Sequence, residues 1–140
     1  MSRNCGCGCN QLNGIEDINK GKCNIQQSTD CLCKALDDLR SCRYCEAEKN
    51  LLRGICLIKK GLCQMEKGLR DLSNNIDCQD VKAIQEGICD IRNGFEEICN
   101  VLKDLRCGRK CGIEDNLING ICQIKKGLCK VGKALDNIQS

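Results

Sequence analysis

Histidine, proline and tryptophan are absent from the 140 residues, and there is one Tyr and one Phe. Without His there is no Ser/His or Cys/His nucleophile pair and no imidazole ligand for a metal. Without Pro, long helices need no interruption. Two aromatic rings supply no stacking platform for single-stranded nucleic acid. Net charge is also small: 22 Lys and Arg stand against 19 Asp and Glu, a net +3. The signs are interspersed, so neither nucleic acid nor an acidic surface is implied as partner. No run of about 18 apolar residues exists that would span a membrane.

Cysteine and glycine are plentiful, with 17 and 14 residues. That cysteine content exceeds the roughly 8–10% that marks a disulfide scaffold in a short chain. Such density belongs to oxidising surroundings, yet the opening MSRNCGCGCN holds no apolar core of a secretory signal. The expectation is synthesis in the cytoplasm without a signal peptide. The thiols then either bind metal or become oxidised after the protein leaves that compartment.

Self-comparison gives the organisation. Cys23, Cys56, Cys89 and Cys122 recur at a spacing of 33, each with Gly two residues before and Ile two residues after. The segments Glu48–Leu69 and Glu114–Leu135 share 14 of 22 residues, so the longer period is 66, a duplicated pair. Within each repeat the apolar residues step by four and three, as in Leu51, Ile55, Ile58, Leu62, Met65, Leu69 and Leu72. This is the a/d pattern of packed helices. The first repeat is the weakest, with Lys22 and Thr29 at seam positions.

Each repeat therefore predicts one helix of about 26 residues, joined by short polar turns at Arg40–Glu46, Ser73–Asp77 and Arg106–Gly112. The expected fold is all-α: an antiparallel up-down-up-down four-helix bundle of four 33-residue repeats, or two duplicated α-hairpins, stapled by cysteines. Residues 1–12 read as a flexible cysteine-rich tail. Residues 13–140 read as a single helical-repeat domain with hairpins over about 13–73 and 77–140.

With the seam at a and d, Gly21, Gly54, Gly61, Gly68, Gly87, Gly94, Gly120 and Gly127 all fall at g. Glycine inside a helix costs about 1 kcal/mol relative to alanine, so strict heptad spacing points to a close-packing edge. The repeated cysteines fall at b (Cys23, Cys56, Cys63, Cys89, Cys122, Cys129) and e (Cys33, Cys99), on the other flank of the seam. In an antiparallel hairpin, residues equidistant from the turn's midpoint share a height. Midpoints near residues 43 and 109 put Cys23 level with Cys63, Cys42 with Cys45, and Cys56 with Cys33 or Cys31. They likewise align Cys89 with Cys129, Cys107 with Cys111, and Cys99 with Cys122. These are candidate intramolecular disulfides. Cys5, Cys7, Cys9, Cys78 and Cys31 remain for cross-links between chains, and the odd total of 17 forbids complete internal pairing.

Other chemistry finds little support. Cys42-Arg-Tyr-Cys45 is a CxxC without the βαβ context of a redox enzyme. Thiolate binding of Zn or Cu(I) at the turn ends is an alternative, although the seam is filled by Ile and Leu with the cysteines beside it. The recurring Lys59-Lys60 and Lys125-Lys126 pairs read as a solvated face. No catalytic constellation and no cofactor site is present.

The cysteine richness, the near absence of aromatics and the Cys5–Cys9 CxCxC segment resemble the cysteine-rich coat and exosporium proteins of spore-forming bacteria. The resemblance implies a protein made in the mother cell that self-assembles, alone or with other coat proteins, into a disulfide-bonded layer at the spore surface. Three readings follow: a non-enzymatic cross-linked structural protein, a cytosolic Cu(I) or Zn thiolate store, and a helical adaptor offering its glycine edge, at Gly61 and Gly127, to a partner helix.

Overall fold

A computed structural model describes the backbone of residues 2–72 and 76–139, with side chains from residue 13 onward. Four helices follow in order: α1 Ser2–Arg40, α2 Tyr44–Asp71, α3 Cys78–Arg106 and α4 Ile113–Gln139. They form an all-α four-helix bundle of antiparallel neighbours. α1 packs most extensively on α2, and α3 on α4; α1 also meets α4, and α2 meets α3. No helix is long and apolar enough to cross a membrane among the described residues.

The helix ends follow local chemistry. Asp77 caps α3, its carboxylate accepting from the Gln79 backbone N–H at 3.0 Å. α1 and α3 stop in the same way. The Arg43 N–H donates to the Asp38 carbonyl and the Arg109 N–H to that of Asp104, both at 2.8 Å. This six-to-one closure needs a left-handed residue just past the helix. Gly108 takes that place after α3 at φ +77°, whereas Cys42 takes it after α1 at φ +59°. Asp38, 7% exposed, also receives Arg43 Nε and Nη2 and the Asn50 amide at 2.7 Å, which fastens the first turn to both helices.

α1 differs from expectation at its start. Helical backbone continues through residues 2–12, read above as a flexible tail. No proline stands in the way, and each added residue extends an existing helix by one hydrogen bond. The Cys5, Cys7 and Cys9 side chains lie outside the described residues.

The expected a/d seam is buried, and position g is buried with it. Position d is filled and, along the middle of each helix, fully buried: Ile18, Ile25, Leu32, Leu51, Ile58, Met65, Ile84, Ile91, Ile98, Leu117, Ile124 and Val131 are all 0% exposed. Its most buried companion is g, not a. Gly21, Ser28, Ala35, Ala47, Gly54, Gly61 and Gly68 are buried; at a, Ile55, Leu62, Ile88, Ile121 and Leu135 are buried as well, whereas Ile15, Leu36 and Leu69 are only partly so. Small residues at g let two backbones approach until g itself is interior.

Candidate functional site

The glycines meet inside the hairpins. A Cβ built on Gly61 would stand 2.7 Å from the Gly21 carbonyl oxygen, and one on Gly14 2.7 Å from that of Gly68. Across the second hairpin the same distance separates a Gly94 Cβ from the Gly120 carbonyl and a Gly87 Cβ from that of Gly127. Gly54 packs under the Leu32 side chain near Ser28. Gly14, seven residues before Gly21, extends the column and belonged in the expected set on spacing alone. These edges are occupied within the chain, so the adaptor reading loses its docking surface.

The same geometry decides where sulfur lies. The hairpin partner sits on the g flank of each helix, so positions b and e face away from it. Cys23, Cys63, Cys89 and Cys129 are all exposed and unbonded. All 14 described cysteines are unpaired, and 12 of them are exposed: Cys23, Cys33, Cys42, Cys45, Cys56, Cys63, Cys78, Cys89, Cys107, Cys111, Cys122 and Cys129. Only Cys31 and Cys99 are partly covered.

One candidate pair does share a surface. Cys31, at c beside the glycine column, and Cys56 line an apolar depression with Leu52, Arg53 and Leu57. Leu52 is the one large hydrophobic residue left exposed among the described residues, at 37%. Cys33, two residues from Cys31, lies on the opposite flank, away from that depression. Position c otherwise carries polar rungs along the outer seam of each hairpin: Asn24 Nδ2 donates to Gln64 Oε1 at 2.5 Å, and Lys130 Nζ meets Asp90 Oδ2 at 2.8 Å.

Two thiols have distinctive surroundings. Burial pushes the Cys99 thiol above its ordinary range; Glu96 adds to the rise and Lys59, across the α2–α3 groove, opposes it. Cys42, beside the first turn, hydrogen-bonds Tyr44. That bond, with burial and the charges of Cys42 and Glu114, raises the phenol above its usual value. Lys110, from the α3–α4 turn, lies 3.9 Å from the Tyr44 ring centre and joins the two turns at that end.

No three Cys, Asp or Glu side chains converge on a point placed to hold a metal ion among the described residues. Cys42, Cys45, Cys107 and Cys111, the turn-end thiols considered for Zn or Cu(I), form no such group. Comparison with family models, with curated proteins and with solved structures finds no match.

Proposed function

We propose that the chain is a non-enzymatic building block whose outward-facing cysteines join copies into a disulfide-cross-linked layer or filament. The observation that supports this reading is the separation of sulfur from the fold. The interior is closed by Ile, Leu and backbone-contacting glycines, while 12 of 14 described thiols face outward. A duplicated hairpin repeats those thiols at fixed steps along a rod, which suits repeated linkage between neighbours. Each link removes two protons and two electrons from a thiol pair and needs an oxidant to take them, such as oxygen outside a reducing compartment. The cysteine-rich spore coat and exosporium proteins that the sequence resembles give a setting for such a layer, with assembly in the mother cell and oxidation later. A Cu(I) or Zn store is the weaker alternative, because no described cluster of ligands favours it.

Gel electrophoresis with and without reductant, after oxidation of the folded chain, tests the proposal. A series of oligomers that collapses to monomer on reduction is expected. A monomer carrying only internal disulfides overturns it.

A further inference from the structure

The groove between α1 and α4 is hollow where the groove between α2 and α3 is filled. Residues 66 apart in the sequence relate the two. In the α2–α3 groove Ile88 is 4% exposed, Phe95 packs against the core, and Arg92 pairs with Glu66. The counterparts in the α1–α4 groove are Lys22, Thr29, Gln26 and Gly132. An aliphatic chain, a ring and an ion pair are thus replaced by an ammonium, a hydroxyl, an amide and no side chain at all. The result is an open groove with about 460 Å³ of space along it.

Its charge is one-sided. Lys22 Nζ lies 3.7 Å from where a Cβ on Gly132 would stand, so the ammonium occupies the mouth of the hollow. Lys125, Cys129 and Lys133 line it from α4, and Asp136 is its one acidic residue. None of the three lysines has an ion-pair partner among the described residues. Three like charges around one groove repel, and an anion placed between them reverses that repulsion. Leu128 supplies an apolar wall, and no aromatic ring is present to stack a base.

We propose that the α1–α4 groove binds a small polyanion whose phosphoryl or carboxylate oxygens are held by Lys22, Lys125 and Lys133. The net positive charge of the lining suits a dianion or trianion, and the lack of a ring favours a compact one over a nucleotide. The site uses side chains of a single copy; Cys129 also lines the groove, so the reduced chain is the form that leaves it open.

Calorimetric titration of the reduced full chain with pyrophosphate and with citrate, at low ionic strength, tests it. Saturable binding of one anion per chain is expected, and the stronger of the two shows whether phosphoryl or carboxylate oxygens are preferred. Thr29→Phe combined with Gly132→Glu copies the side chains of the filled groove and weakens binding at least tenfold. Lys22→Gln and Lys125→Gln, which leave the packing in place, each weaken it at least threefold. Lys59→Gln, the counterpart of Lys125 in the other groove, leaves it unchanged. Absence of binding by both anions, or equal loss in the Lys59 and Lys125 variants, overturns the proposal.

Discussion

The carbonyl oxygen of Gly21 stands 2.7 Å from the place a side chain at Gly61 would begin, closer than real Cβ atoms approach an oxygen. The Ile25 side chain closes the same space, its Cδ1 at 2.9 Å and its Cγ1 closer still. Backbone and core, not a flexible chain end, therefore reject any larger residue there. Gly61→Ala gains about 1 kcal/mol of helix propensity but incurs overpacking of about 1–3 kcal/mol, so a net loss of stability is expected. Gly132→Ala, in the same kind of helix interior, meets nothing closer than 3.7 Å and gains up to about 1 kcal/mol. Urea unfolding of the two variants distinguishes them; equal gains would contradict backbone contact at Gly61.

Cys42 occupies a left-handed position that Gly108 fills at the end of α3. A side chain there costs about 1–2 kcal/mol. Cys42→Gly is expected to stabilise the reduced protein by about 1 kcal/mol, read from its thermal unfolding midpoint. Destabilisation would mean that the Tyr44 contact outweighs the strain.

Asp38 ties three groups together at the first turn through Arg43 and Asn50. Asp38→Ala strands both donors and should cost about 1–3 kcal/mol. Loss of stability below half a kilocalorie in urea titration would show the network to be solvent-equivalent.

Burial lifts the Cys99 thiol, so it holds less thiolate at neutral pH than an exposed cysteine. In the folded, reduced protein Cys99 should alkylate several-fold more slowly with iodoacetamide than Cys33, 66 residues away and exposed. Peptide mass spectrometry over a time course measures both rates; equal rates contradict the placement of Cys99.

The Lys130 ammonium is raised above its ordinary value, chiefly by its hydrogen bond to Asp90, with the Asp90 and Glu86 charges adding and burial opposing. A raised lysine contributes stability that is complete below its unfolded value of about 10.4 and is lost as pH rises through the higher folded value. The pair Asp90→Asn with Lys130→Gln makes the rung resemble neutral Asn24–Gln64. That variant should keep its fold and lose less stability between pH 9 and 11 than the native chain. An identical alkaline profile would remove the rung from the account.

The repeat spacing and the four-three step of apolar residues were sufficient to read the helices and their antiparallel order. They were not sufficient to say which flank meets the hairpin partner, because a heptad pattern fixes the order of faces around a helix and not the neighbour on each side. The glycine column held that information. Only glycine at positions 21 and 61 permits the backbone contact, so the partner must lie on that flank and the cysteines on the other. The hollow beside Lys22 was visible as two polar breaks in the first repeat, but its lining from Lys125, Lys133 and Gly132 depends on α4 lying against α1, which no local pattern gives.

The central claim is that thiols on the outside of one bundle bond to those of another. Equal amounts of chain carrying natural nitrogen and of chain uniformly labelled with nitrogen-15 are mixed, oxidised while folded, and digested without reduction. Disulfide-linked peptide pairs of mixed isotope, involving Cys23, Cys63, Cys89 or Cys129, are the predicted result. Pairs that always come from one isotope, with Cys23 bound to Cys63 and Cys89 to Cys129, would contradict it.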